Sequence, residues 1–337
     1  MPKKLLTISI AAYNVEKTII ETLESLLIKN LDLLDVIIVN DGSTDSTKEL
    51  VENFIKEHPG SFRLINQKNG GYGSTINASI KNATGKYFRP LDGDDWADSK
   101  KLDKFCEILK DEDGDLIITP FKTINESTGQ SFITNFAHSS FSNKKIDAAI
   151  SELESYVPMH CVTYKTSLLQ KNQIALTRHC FYTDTEYVLL PFKYAKTVSA
   201  YNLAIYLYRF GTAEQSVSPK SRARHYEDMI TVTKRFINDF SSSLRRTESE
   251  SYINDFVIEL CARCFLSFLF ILKPTKAHYT AIKKYIKFID ESDPSILRVL
   301  ENKFRTVRTV NKGGYFSYLI VFLVTKFKQI KHRGNAR

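Results

Sequence analysis

A repeat of apolar strand and amphipathic helix through the first hundred residues constrains this chain more than any other feature. LLTISIA (5–11) has the pattern of a buried strand, and EKTIIETLESLLI (16–28) sets apolar residues at helical spacing. DVIIVND (35–41) reads as a second strand, after which Ser43 or Thr44 can cap a helix running to about Glu57. FRLINQ (62–67) is a third strand, followed by a glycine-rich turn and a helix over about 74–82, and KYFRPLD (86–92) is a fourth strand. This rhythm predicts an α/β fold with a doubly wound, mostly parallel sheet. In such sheets ligands sit outside the carboxyl ends of the strands.

Those ends carry the unusual polar residues. Tyr13 and Asn14 follow the first strand, and Asn40, Asp41 and Gly42 the second. Gly70, Gly71 and Gly73 follow the third, and LDGDDW follows the fourth with Asp92, Asp94 and Asp95. Two carboxylates at i and i+2 leaving a strand can present oxygens to one hard divalent cation, Mg2+ or Mn2+. The competing reading is a polar turn with a helix N-cap, since Asp94, Asp95 and Asp98 suit a helix start. NGGYGST lacks the lysine of a phosphate-binding P-loop, and Ile76 stands where a third glycine would complete GxGxxG. Its glycines still allow a ligand to approach the backbone closely.

The rest of the chain is more mixed. A helix over 100–110 leads to DLIITPF, which reads as a strand, and 125–145 reads as a loop or a weak hairpin. YNLAIYLYRF (201–210) reads as an aromatic strand, and from about 222 the pattern is helical, including 252–272 and 277–289. With 337 residues, 43% of them hydrophobic, the chain can form two domains. A boundary near 216 separates a domain over 1–216 (halves 1–100 and 101–216) from a helical region over 217–337.

The net charge of +9 suggests an anionic partner. Lysines are spread rather than striped and no recognised motif is present, so nucleic acid is not expected. Five scattered cysteines suggest free thiols in a reducing compartment, and Cys261 and Cys264 have no further ligands to complete a zinc site. The amino terminus lacks the long apolar run of a signal peptide, which points to the cytoplasm. YFSYLIVFLV (315–324) is too short to span a bilayer. The basic residues after it suit either an interfacial helix on an anionic membrane or a packed helix with a solvated end.

SIAAYN, VIIVNDGSTDST and NGGYGSTINASIKNATGKYFRPLDGDDW, in this order and spacing, resemble the family 2 glycosyltransferases of the GT-A fold, of the bacterial cell-surface polysaccharide type. The resemblance is close over 5 to about 100 and looser to about 218. It implies a nucleotide-sugar donor, usually UDP-linked, and a glycan or lipid-linked acceptor. It makes 1–100 the nucleotide-sugar half and 101–216 the acceptor half. Tyr13 is then expected against the base, and Asp41 is expected to read it. Asp92 and Asp94 form the metal-binding DxD motif, with Mn2+ or Mg2+. Ala11, Asn14, Gly70, Gly71 and Gly93 complete the expected donor contacts. Trp96, Asp95, Gln215 and Ser216 are candidate acceptor or loop contacts.

The family's later Glu-Asp pair, which supplies the general base, is Thr183-Asp184 here, so Asp184 is the expected base and Glu186 the alternative. An arginine common in the helix after the glycine turn is replaced by Ile76. A single displacement assisted by one carboxylate inverts the anomeric centre. A degenerate binding protein and a nucleotide-sugar pyrophosphorylase are the competing functions.

Overall fold

The computed structural model describes residues 4–154, 156–211, 219–240 and 247–334. The chain divides into two compact units, Met1–Thr212 and Ala213–Arg337.

The first unit alternates as its sequence requires. In order it contains β1 (Leu6–Ala12), α1 (Ile19–Glu24), β2 (Leu34–Asn40), α2 (Thr47–Glu57), β3 (Phe62–Asn66), α3 (Tyr72–Asn82) and β4 (Tyr87–Asp92). Then come β5 (Trp96–Ala97), α4 (Ser99–Asp111), β6 (Leu116–Ile118), β7 (Phe121–Asn125), β8 (Ser131–Thr134), β9 (Phe141–Lys145) and α5 (Ile146–Ala149). The unit closes with β10 (Val162–Lys165), α6 (Thr166–Lys171), α7 (Thr183–Phe192), β11 (Thr197–Ala200) and β12 (Tyr206–Phe210).

Eight strands form the main sheet in the order β3-β2-β1-β4-β10-β6-β11-β9. The first four are mutually parallel, and the apolar runs of β1 and β2 are buried on both faces, as parallel strands under helical layers must be. β10 runs antiparallel between β4 and β6. A second sheet, β5-β12-β7-β8, pairs β12 parallel to β7 and antiparallel to β5.

Three local expectations change. Helix α2 starts at Thr47, because Ser43 and Thr44 are engaged elsewhere. The Ser43 amide donates to Asn40 Oδ1 (3.0 Å), and the Thr44 amide to Asn14 Oδ1 (2.8 Å), so these residues join the ends of β1 and β2. The 125–145 region holds real pairing: β8 forms a hairpin with β7, and β9 joins the main sheet against β11. Of 201–210, only Tyr206–Phe210 is strand.

The second unit is helical: α8 (Pro219–Arg224), α9 (Tyr226–Phe240), α10 (Glu248–Phe270), α11 (Lys276–Ser292), α12 (Pro294–Lys303), α13 (Arg305–Lys312) and α14 (Tyr315–Gly334). Thr247 and Glu250 form a capping box that starts α10. Phe236, Phe256, Phe265, Phe268, Tyr285 and Tyr318 are fully buried and form its core. Cys261 and Cys264 lie in that core, and burial pushes the Cys261 thiol up to about 12, so it carries no thiolate at neutral pH. No helix among the described residues is long and apolar enough to cross a membrane. Helix α14 buries Tyr318, Val321 and Thr325 on one face and exposes Phe316 (74%), Ile320, Leu323 and Val324 on the other.

Candidate active site

Strand register brings the polar ends into one rim. Ala11 lies opposite Asp92, Ala12 opposite Asn40, and Asn40 opposite Asn66. The Asn40 side-chain amide donates to Asn66 Oδ1 at 2.9 Å. Asn14 adopts a left-handed backbone (φ 53°) as the chain turns out of β1, and Tyr13 beside it is half exposed.

Asp41 organises the glycine turn. Its carboxylate is buried and accepts the Gly70 and Gly71 amides at 2.9 Å each, with Gln67 Nε2 at 2.6 Å. Gly71 has φ +79°, a conformation open to glycine, and a Cβ there would meet the His179 backbone at 3.2 Å. A Cβ on Gly73 would run into the Thr177 carbonyl. The turn is therefore closed down on the segment 177–182, which leads into α7.

The three aspartates separate by orientation. Asp92 is largely enclosed; burial, then the charge of Asp94, holds its carboxyl well above the usual range. Asp94 is exposed at the rim. Asp95, expected among the acceptor-side contacts, instead points inward: it is 1% exposed and accepts the Tyr206 hydroxyl and the Arg209 amide, each at 2.6 Å. Burial, then Asp92 and Asp94, pushes Asp95 well up. Gly93 fits because a Cβ would lie 2.8 Å from the Ala11 carbonyl, and the Thr18 and Thr22 hydroxyls donate to its own carbonyl.

Arg209 answers the crowded negative charge from β12. Its Nε donates to the Asp94 carbonyl (2.6 Å), its guanidinium pairs with Glu21 and Glu126, and it lies 4.5 Å over the Trp96 ring. Trp96 is thus a packed platform for Arg209, half-buried at the edge of the site. Beneath the aspartates, His160 is packed by the rings of Phe121, Tyr206 and Tyr208. The fully buried Arg89 donates to the Thr119 and Thr163 hydroxyls and the His160 carbonyl. Burial, then Arg89, lowers His160 to about 3, so its imidazole is neutral at physiological pH.

A cation fits this floor. Asp92 Oδ1 and His160 Nδ1 are buried without a hydrogen-bond partner. One ligand atom from each of Asp92, Asp95 and His160 lies within 4.8 Å of the others. Unpaired buried lone pairs are costly, and carboxylate and imidazole are both donors to divalent cations.

Helix α7 supplies the other carboxylates. Asp184 stands in its first turn after Tyr182, which is left-handed at φ 66°, and burial raises the Asp184 carboxyl. Glu186 is fully buried, and its two oxygens take the Thr177 amide (2.6 Å) and hydroxyl (2.7 Å). Thr183, where the resembled family has glutamate, is buried with an unpartnered Oγ1. The Tyr72 hydroxyl donates to Met159 Sδ, and burial, then the charges of Asp92 and Asp184, hold it well above its ordinary value. Gln215 and Ser216 lie outside the described residues. Sequence reading missed Tyr72, Tyr206, Arg209 and the inward role of His160. Only the aromatic and basic character of YLYRF pointed to any of them.

Comparisons with known proteins follow the same lines. Residues 7–172 match the model of the family described as Glycosyl transferase family 2. The putative glycosyltransferase EpsH of Bacillus subtilis is 23% identical over 272 residues, covering 79% of this chain and 78% of its own length. The teichoic acid poly(glycerol phosphate) polymerase of Staphylococcus epidermidis is 24% identical over 269 residues, 75% of this chain; the match spans only 34% of the polymerase. Among solved structures, S. aureus TarS 1-349 in complex with UDP-GlcNAc superposes with a TM-score of 0.70 at 19% identity, over 96% of this chain and 92% of that one. The likeness to TarS is one of fold: a mixed, mostly parallel sheet flanked by helices, with a helical C-terminal region.

Proposed function

The chain belongs to the family 2 glycosyltransferases through its residues 7–172, and we propose that it moves a sugar from a uridine diphosphate donor to a hydroxyl of a glycan or lipid-linked acceptor, with inversion. That it is a glycosyltransferase sets the pyrophosphorylase reading aside. The observation that carries the proposal is the rim of strand ends: Ala11 lies opposite Asp92 and Ala12 opposite Asn40, and the Asp41 carboxylate beside them holds the Gly70 and Gly71 amides. The uridine nucleotide is carried over from the family resemblance and from TarS, which was solved with UDP-GlcNAc and with UDP.

In this reading residues 1–100 hold the donor. Tyr13 lies against the base, Asp41 accepts from it, and the amides beyond Gly71 approach the diphosphate. Ala11, Asn14 and Gly93 shape the wall. Residues 101–216 hold the acceptor. Asp184 takes the proton of the acceptor hydroxyl as its oxygen bonds to the anomeric carbon, and the bond from that carbon to the diphosphate breaks with the electron pair on the leaving oxygen. Burial helps, because a carboxylate raised above its ordinary value is a stronger base. Glu186 is committed to Thr177 and acts as an anchor. Asp92 and Asp94 would hold a divalent cation, with His160 and Asp95 beneath, and such a cation neutralises charge on a leaving diphosphate.

An anionic membrane surface completes the proposed partners, at the cytoplasmic face. Residues 213–337 carry 23 Lys and Arg against 12 Asp and Glu, whereas 1–212 carry 24 against 26. The basic surplus thus belongs wholly to the unit whose α14 exposes Phe316, Ile320, Leu323 and Val324. An apolar stripe on a basic unit suits the interface of an anionic bilayer.

The test is nucleoside diphosphate release from a panel of nucleotide sugars, with Mn2+, Mg2+ or chelator, on wild type and Asp94→Asn. Metal-dependent release from one donor, lost in the variant, is the expected result. Failure of every donor both to react and to bind in the presence of metal would overturn the proposal.

A further inference from the structure

We infer that Arg178 supplies the cationic contact to the donor's base and, with Asp41, selects uracil over cytosine. The inference rests on the uridine reading above and adds a residue from a different segment to it.

Helix α3 has no cation to offer at the position where the resembled family often has arginine: Ile76 is completely buried. The structure brings an arginine to the same turn from the other side. The Gly70 amide donates to Asp41 Oδ1 at 2.9 Å, and a Cβ built on Gly70 would lie 3.2 Å from a terminal nitrogen of the Arg178 guanidinium. Carboxylate and guanidinium therefore flank one glycine. Arg178 is exposed, and among the described residues its guanidinium has no ion pair or hydrogen bond. Its five donors are free for a ligand.

Its backbone is held on both sides. Thr177 is fixed by Glu186, and the His179 amide donates to the Gly70 carbonyl at 2.6 Å. His179 adopts φ 50°, a conformation unusual for a residue with a side chain, and its backbone packs on Gly71. Arg178 thus sits between two anchored neighbours, so little ordering is needed when a ligand arrives.

The pair matches one pyrimidine edge. Uracil offers an N3 hydrogen to a carboxylate and a carbonyl oxygen at C4 to a guanidinium. Cytosine presents a lone pair at N3 and an amino group at C4, so both contacts reverse. An acceptor facing an acceptor and a donor facing a donor leave polar groups unpaired, which is how sites reject a near-isostere.

The experiment is calorimetric titration of UDP and CDP into wild type, Arg178→Ala and Arg178→Lys in the presence of Mg2+, with a melting curve for each. Arg178 is exposed and unpaired, so the variants are expected to melt like wild type. Loss of a hydrogen bond to a charged group corresponds to about 10-fold or more in affinity. Arg178→Ala is expected to weaken UDP by that factor and leave CDP nearly unchanged, so that selectivity collapses. Arg178→Lys keeps the charge without the planar fork and is expected to recover only part of it. An unchanged UDP-to-CDP ratio in Arg178→Ala overturns the inference and leaves the uridine reading standing. A wild type that binds no uridine nucleotide, or prefers CDP, overturns the uridine reading and this inference with it.

Discussion

Glu186 accepts both the amide and the hydroxyl of Thr177, at 2.6 and 2.7 Å, and so ties the first turn of the α7 helix to the segment that closes on the glycine turn. Removing the carboxylate strands buried donors. Glu186→Ala is expected to cost about 1–3 kcal/mol of stability, seen as a lower melting temperature, and to weaken UDP binding through the loosened segment. A variant that melts like wild type would show that Glu186 is no anchor.

Asp184→Asn separates base from anchor. Transfer is expected to fall by about 100- to 10,000-fold, while UDP binding stays as in wild type. Stability moves the other way. Burial raises the folded-state carboxyl of Asp184 above its ordinary value, so its ionised form destabilises the fold at neutral pH. That penalty fades as pH falls through the raised folded-state value and is gone below the unfolded one. The variant should therefore melt above wild type at pH 7, with the gap closing in acid. Full transfer by Asp184→Asn would sink the base assignment.

The proposed cation at Asp92, Asp95 and His160 can be titrated without any sugar. Mn2+ binding followed by electron paramagnetic resonance is expected to weaken by about 10- to 100-fold in His160→Ala, and more in Asp92→Asn. Chelation should abolish transfer, and added Mn2+ or Mg2+ should restore it. Equal Mn2+ affinity in wild type and both variants would leave the floor a purely structural acidic pocket.

Helix α14 can be tested on lipid. Co-sedimentation with vesicles containing anionic phosphatidylglycerol is expected for wild type, with loss on neutral vesicles and in high salt. Phe316→Ser with Leu323→Ser should cut the bound fraction several-fold, since each buried apolar side chain contributes about 1.5–3 kcal/mol. Both positions are exposed, so melting should not change. Binding indifferent to both lipid charge and these substitutions would remove the membrane from the partners.

The strand-end rim was legible because its signals are local. A parallel strand must end in a polar loop, so Asn14, Asp41, Gly70, Gly71 and Asp92 stand directly after apolar runs, and spacing alone assembles them. The floor and brace were not legible. His160 arrives just before β10, Arg178 before α7, and Tyr206 and Arg209 on β12, between 65 and 117 residues from the aspartates they approach or the turn they flank. Long-range pairing of that kind leaves no periodicity in the chain. Asp95 was misread for the same reason: its inward turn depends on Tyr206, 111 residues away. Ser43 and Thr44 were misread as caps because their hydroxyls are engaged by Asn14, which follows the neighbouring strand: the Asn14 amide donates to Ser43 Oγ and Thr44 Oγ1 donates to Asn14 Oδ1.

The antiparallel insertion of β10 beside β4 has a consequence for how the protein is made. Tyr164 and Lys165 are the residues that cover the β4 edge at Phe88 and Tyr87. A ribosome adding about 5–20 residues per second needs roughly 4–15 s after β4 emerges to deliver them. During that interval the nascent amino-terminal half has its strands in order but one apolar edge unpaired, a surface prone to associate with other chains. The half that is contiguous in sequence is therefore not a transferable module. A chimera cut near residue 100 would inherit the open edge, whereas one cut after β12 would carry the edge, its cover and the Arg209 brace together.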